Sequence, residues 1–250
     1  MTGIGVFLAS IGIADLVMGG LTGEPLRPRL GFVSALMASV VLGVAFGLDL
    51  AGIPSLVIMV ATAQPFWAGF RQRSTRRGAW LALGWLAVWI VGAVLISDVW
   101  AVTDRPWSPV LSYAAPALRL GLGPNSENLA LILGVLVFNA ASGNAIVRSL
   151  LTSTGTEVEK SEERLRGGRL IGILERYLVF GLAVAGEPTA AALVVSAKSL
   201  LRFPELSKIA AETDARVVTA DVDVVTEYFL LGSLASWCVA LVFVPLTRLP

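Results

Sequence analysis

The sequence predicts an all-α membrane protein, a polytopic transmembrane helix bundle of about eight spans in two parallel four-helix repeats, with both termini extracytoplasmic. Three observations carry that prediction. Hydrophobic residues fill 56% of the 250 positions and charged residues only 15%, against roughly 25% charged in soluble domains. The chain divides into eight apolar pieces of near-spanning length, since a helix needs about 20 residues to cross a ~30 Å hydrocarbon layer. Two pairs of these pieces match each other in the same order along the chain, at offsets of 134 and 148, which points to an internal repeat. Nothing of useful size is left over for a soluble domain, so residues 1–250 read as a single membrane domain.

The first span is expected at 3–20. Its opening MTGIGVFLAS has no basic n-region and is followed by Asp15 within the apolar run, so it reads as a retained span and not a cleaved leader. Spans two and three, 31–48 and 53–70, form a nearly continuous apolar stretch broken by Asp49, Gly52 and Pro54. Proline suits the first turn of a new helix, so the break is a hairpin turn. Gln64-Pro65 predicts a kink in the third span. The fourth span is placed at 79–98. An outer loop, 100–127, then carries Trp100, Trp107 and Tyr113 around VLSYAAPALRLGLG, too short to span. It reads as an interfacial or re-entrant segment with its aromatics at headgroup level. The fifth span is 128–148. The inner loop that follows, TSTGTEVEKSEERLRGG, mixes both charge signs and reads as a solvated helical extension. Spans six and seven, 169–186 and 188–203, turn tightly about residue 187, and the eighth is 225–245.

Charge sets the orientation. The loops 21–30, 71–78, 148–169 and 202–224 hold two, four, five and three Lys or Arg, 14 of the chain's 19, and the opposite side holds only Arg105, Arg119 and Arg248. A bias that alternates correctly across every span makes the basic side cytoplasmic. It leaves both termini outside, with the protein in the inner (plasma) membrane.

The repeat joins residues 1–99 and 128–250 through the outer loop. GLDLAGIPSLVIMVATAQ (47–64) aligns without gaps on GLAVAGEPTAAALVVSAK (181–198), with seven of 18 positions identical, and LGWLAVWIV (83–91) matches LGSLASWCV (231–239) at six of nine, including Trp89 with Trp237. Gly5-Val6 falls on Gly134-Val135 and Asp15 on Asn144, at an offset of 129. Four spans per unit keep the copies in the same orientation, giving parallel repeats about an axis along the membrane normal.

Charges inside the spans are expensive and normally face the bundle interior, paired or wet. Counted at 1.5 Å per residue from the cytoplasmic boundary, Glu175 and Lys198 lie ~9 Å deep, Asp15 and Gln64 ~10 Å and Asn144 ~6 Å, with Glu227 just inside the eighth span. The antiparallel turn about residue 187 brings Arg176 level with Lys198. Asp15, Glu175 and Glu227 are three acids to set against the three bases Arg176, Lys198 and Arg202, the last two being four apart on one helix face. In the first repeat Val41, Leu42, Gln64 and Ala79 occupy the positions of Glu175, Arg176, Lys198 and Glu227, so the second copy carries charge that the first lacks. The candidate binding residues are therefore Asp15, Asn144, Glu175, Arg176, Lys198, Arg202 and Glu227, around a polar cavity open to the cytoplasm. A salt-bridge network that only holds the bundle together is the competing reading. Small-xxx-small pairs, Gly43/Gly47, Gly168/Gly172 and Gly232/Ser236, point to close helix contacts.

Several functions are excluded or unsupported. The chain has no histidine and a single cysteine, Cys238, which removes His-based acid/base catalysis, the usual serine triad and His- or Cys-rich metal sites. No nucleophile or phosphate motif is present, so no catalytic residue, metal or cofactor is assigned. A net charge of +1 without a basic patch gives no reason to expect nucleic acid.

At GGRLIGILERYL (167–178), VSAKSLLRFPEL (195–206) and TEYFLLGSLAS (226–236), over about 70 residues of the second repeat, the chain resembles an uncharacterised bacterial multi-pass membrane family known only as a domain of unknown function. IADLV in the first span is similar to that family's Ala-Asp-aromatic motif. The resemblance implies that Glu175, Arg176, Lys198, Arg202 and Glu227 form a family constellation, and it implies no activity. The partners expected are the lipid bilayer, a small solute or ion, and a membrane-protein partner or second copy of the chain. Three functions stay open: a transporter or channel-like protein for a small polar or ionic solute, a non-transporting structural or regulatory subunit of a membrane complex, and a membrane-embedded enzyme acting on lipid.

Overall fold

The computed structural model describes residues 1–21, 25–49, 51–73, 75–100, 126–154, 168–197 and 218–248. Among them are eight helices and no strand: α1 Thr2–Gly20, α2 Arg27–Ala45, α3 Gly52–Gln72, α4 Arg76–Leu95, α5 Ser126–Thr154, α6 Gly168–Val184, α7 Pro188–Ala197 and α8 Val218–Leu241. Short 3₁₀ turns follow α4 at Ser97–Val99 and α8 at Pro245–Arg248. Six helices, all but α6 and α7, are long and apolar enough to cross a membrane, which makes this a helical membrane protein. A helix overlaps each expected span among the described residues, with α8 starting seven residues before 225 and the end of the expected seventh span lying outside them.

The first helix is the centre of the bundle. In α1, 72% of the apolar window is buried, against 28% in α2 and α4. It packs most extensively on α5, then on α2, and also touches α3 and α4. The outer helices instead show apolar side chains to their surroundings: Val33, Met37, Val40 and Val44 on α2, and Leu81, Val88, Val91 and Leu95 on α4, are exposed. A helix with an apolar outward face is stable only against lipid, where no hydrophobic force separates inside from outside and packing decides the arrangement.

What permits the α1–α5 contact is glycine. A Cβ on Gly5 would collide with the backbone of Ala130 and Leu131, and one on Gly134 with the backbone of Gly5. At Gly12 it would lie 2.9 Å from the Val137 carbonyl oxygen. Two helix backbones therefore touch with no side chain between them, which is the advantage of small residues in membrane interfaces. Gly5 meets Gly134, Gly12 meets Val137 and, a turn on, Asp15 meets Ser142, so α1 and α5 run parallel. The small-xxx-small pairs picked from sequence do not supply this contact: a Cβ on Gly232 would make only ordinary contact with Leu151, and the nearest atom to one on Gly172 is 3.6 Å away.

The ends of the helices sort by contact. At one end Trp100 is buried, seated on Gly3 and Gly52, and its indole N–H donates to Ser55 Oγ at 2.9 Å. It fills a packed slot between α1 and α3, at the helix ends; Trp107 and Tyr113 lie outside the described residues. At the other end Arg76 Nε donates to the Ser153 carbonyl at 2.7 Å, tying the start of α4 to the end of α5, and Thr75 caps α4 by accepting from the Gly78 N–H.

Both α2 and α6 end in the same way. Gly47 and Gly186 take left-handed φ values of 74° and 86°. The next N–H reaches back five residues, Leu48 to Gly43 and Glu187 to Leu182, at 2.9 Å in each case. This is the Schellman stop, which favours glycine because a Cβ opposes positive φ. The two glycines are not aligned equivalents, however. In the ungapped match Gly52 faces Gly186, yet Gly52 is the first residue of α3 while Gly186 is a helix stop. After Gly47 the chain needs four more residues before α3, and Asp49 accepts from the Gly52 N–H to start it. After Gly186 only Glu187 intervenes before α7. Matching residues thus make different turns. Pro65 lies within α3, which continues past it, and the Trp85 indole N–H donates to the Ala63 carbonyl beside it at 3.1 Å.

Replacing Gly134 or Gly5 by Val is expected to separate α1 from α5 and cost on the order of 3 kcal/mol or more, because both neighbours are backbone and cannot give way. Gly84→Ala, which meets nothing within 4 Å, should stay within about 1 kcal/mol of wild type. Thermal unfolding and monodispersity in detergent compare the three proteins.

Candidate functional site

Among the described residues, the buried polar groups form two clusters on opposite sides of α5. Most small hydroxyls do not join them. Ser10, Ser34, Ser39, Thr62 and Ser153 each donate to a carbonyl three or four residues back in their own helix, which satisfies a hydroxyl in an apolar setting at no packing cost. Ser142 and Ser236 are different, because they bond across helices.

The first cluster joins α1, α3 and α5. The Asp15 side chain is 2% exposed. Its Oδ2 accepts from the Trp67 indole N–H at 3.0 Å and from Ser142 Oγ at 2.7 Å. Its Oδ1 lies 3.0 Å from Arg71 Nη2, an ion pair by distance, but the approach is outside hydrogen-bond geometry, so Oδ1 has no aligned donor. The Arg71 guanidinium also lies over the Trp67 ring, 5.1 Å from its centroid. Helical spacing explains the set, since Trp67 and Arg71 are four apart on α3 and so share a face. Arg71 is counted by sequence among the basic residues of a loop. It occupies the last turn of α3, and its side chain reaches inward while staying 20% exposed. Gln64, one turn before Trp67, is also buried, and its amide N–H lies 3.9 Å from Met18 Sδ.

The second cluster joins α5, α6 and α8. Arg176 is 1% exposed. Its Nε and Nη2 both donate to the Asn139 carbonyl, at 3.1 and 2.9 Å, while Nη2 also donates to Asn144 Oδ1 at 2.7 Å and Nη1 to Ser236 Oγ at 3.0 Å. Gly143 makes room for it, because a Cβ there would sit 2.9 Å from Nε. A guanidinium held on three sides by fixed acceptors is a buried charge met by directed hydrogen bonds, as burial requires. Beside it Glu175, also buried, accepts from the Trp237 indole N–H at 2.6 Å. Asn139 is fully buried, and its Oδ1 has no partner among the described residues.

Of the seven residues expected from sequence, Arg176 and Asn144 are joined directly, and Glu175 sits beside them. Asp15 is apart from them in contact terms, since its partners are Trp67, Ser142 and Arg71. The near-symmetric pairing of Asp15 with Asn144 therefore does not place them in one cluster. Lys198 and Arg202 lie outside the described residues, and of Glu227 only the helix backbone is described. Residues that sequence reasoning missed are Trp67, Arg71, Asn139, Ser142 and Ser236. Asn139 carried a legible signal, a second amide within the apolar run VLVFNAASGN. Among the described residues no group of three or more acidic, His or Cys side chains could hold a metal.

Comparison with protein-family models, with curated proteins and with solved structures finds no match to this chain. What fold and clusters define is a class: a helical membrane protein with two buried polar centres.

Arg176→Met should lower stability by on the order of 3 kcal/mol, because Asn139, Asn144 and Ser236 would each lose a donor in a dry site. Trp237→Phe, which removes one hydrogen bond to a charged group, should cost about 1.5–3 kcal/mol. Chemical or thermal unfolding in a fixed detergent measures both, and near-neutral values would mean that water replaces the lost partners.

Proposed function

We propose that the chain is a transporter or channel-like protein for a small polar or ionic solute, with Asp15 at its site. The bundle behind this reading is the eight-span one, with α6 and α7 as the sixth and seventh spans, basic loops on the cytoplasmic side of a bacterial inner membrane and both termini outside. It takes the two halves as parallel repeats. Support comes from the α1–α5 contact, where Gly5 meets its aligned equivalent Gly134. Contact between equivalent residues is what a two-fold axis between the halves would give, although the facing pairs further along, Gly12 with Val137 and Asp15 with Ser142, are not equivalents. A central axis between halves is where parallel-repeat transporters hold their sites. The likeness of the second repeat to the family of unknown function is carried along as part of the same reading.

The single observation that carries the proposal is the state of Asp15. It is a carboxylate on the most buried helix, fixed through one oxygen and held through the other only by a partly exposed arginine. An intramembrane acid with a movable counter-charge is what a solute or ion pathway needs. Glu175, Arg176 and Asn144 would then frame the bundle, and Lys198, Arg202 and Glu227 would line the route toward the cytoplasm.

A second reading is favoured by Arg176, which is fully buried and whose guanidinium is tied to one backbone carbonyl and two side chains of α5 and α8. On that reading the chain is a structural or regulatory subunit and both clusters are locks.

The readings separate in proteoliposomes. With a broad panel of small polar and ionic solutes, Asp15→Asn is expected to reduce flux at least tenfold while Gly84→Ala leaves it unchanged. Equal flux in Asp15→Asn and wild type, with a lowered melting temperature, would favour the subunit reading.

A further inference from the structure

We infer that Asp15 and the face of Trp67 form a site for a small organic cation of the guanidinium class, and that Arg71 is its built-in occupant. This rests on reading Asp15 as a solute site and names the solute's chemistry. Asp15 is anchored at Oδ2 by Trp67 and Ser142, which leaves the buried Oδ1, without an aligned donor among the described residues, to the Arg71 guanidinium 3.0 Å away. The indole that steadies Oδ2 through its N–H offers its ring face to the same guanidinium that approaches Oδ1. Carboxylate edge and aromatic face together suit a planar, weakly hydrated cation, which gains from stacking and loses little water. Potassium or sodium gains less there, since the site offers one carboxylate oxygen and no ring of carbonyls.

Arg71 is built to leave. It belongs to the last turn of α3, and its side chain is ten times more exposed than that of Asp15, 20% against 2%. Its long stem can carry the charged head to the interface. Departure would strand the Asp15 charge in a dry, low-dielectric place, at high cost. A cation of the same shape removes that cost by taking the vacated position. Binding and Arg71 release are thus one exchange, which keeps the buried centre neutral throughout. Arg176 differs in this respect, because its donors end on fixed acceptors of α5 and α8.

The test is chemical rescue of the full chain in detergent. Arg71→Ala should melt several degrees below wild type, and millimolar methylguanidinium should restore most of the loss, saturably. Potassium chloride at equal ionic strength and methylurea, a neutral analogue of the same shape, should not. Asp15→Asn added to Arg71→Ala should abolish the rescue. Recovery by methylguanidinium no greater than by potassium chloride would overturn the inference. Should Arg71→Ala fail to fold, Arg71→Lys keeps the charge without the plane; methylguanidinium should then raise its melting temperature at least twice as far as that of wild type, and equal shifts count against the site. Saturable rescue with no methylguanidinium uptake into proteoliposomes would uphold the site and remove transport. Asp15-dependent flux of another solute, with no rescue, would do the reverse.

Discussion

The side-chain-free contact between α1 and α5 is the constraint on which the rest depends. Gly5, Gly12 and Gly134 let two backbones meet, and that approach brings Asp15 within reach of Ser142 one turn further along. With larger residues the helices would stand apart and the carboxylate would face its desolvation with one donor fewer. The contact also fixes α5 as a spine with two working faces. One presents Ser142 to α1, and the other presents the Asn139 carbonyl and Asn144 to α6. Gly143 belongs to the second face, where its missing Cβ admits the Arg176 head.

Asp15 and Arg176 are held by opposite means. Arg176 ends on a backbone carbonyl of α5 and on short side chains of α5 and α8, so it binds three helices into one unit. Asp15 shares its charge with a side chain that is itself 20% exposed. The dry interior makes each bond strong and each unmet group costly, so the difference is one of mobility and not of strength. A rigid framework beside an adjustable centre is the division of labour expected where a site must change partners while its surroundings do not.

Much of the architecture was legible in composition and periodicity because lipid imposes length. A helix overlaps each expected span among the described residues, and the breaks at Asp49 and at residue 187 were readable from glycine, proline and charge. What sequence could not supply was which helix sits in the middle. α1 carries Asp15 and many glycines, and those residues are why it is central: small residues admit neighbours, and the acid needs them. Pairing failed in the same way. Charges were matched by depth along the chain, which set Asp15 against the bases of the second half. Its true counter-charge, Arg71, hid in what looked like a loop, because an arginine at a helix end can turn inward or outward and only tertiary contact decides. The repeat shows the limit of alignment. Gly52 and Gly186 match as letters, yet one opens a helix and the other closes one, since the helix stop follows hydrogen bonding to the preceding turn and not residue identity.

Trp100 has a consequence for motion. It fills the slot over Gly3 and Gly52 and is pinned to Ser55, so that end of α1 and α3 cannot part without uncovering a large indole. Asp15 lies 12 residues further along α1, about 18 Å away. Any rearrangement that leaves Trp100 seated must pivot near it, and the widest opening then falls at the Asp15 and Arg71 end. The pair of helices would part like tongs, held at the Trp100 end and free at the Asp15 end.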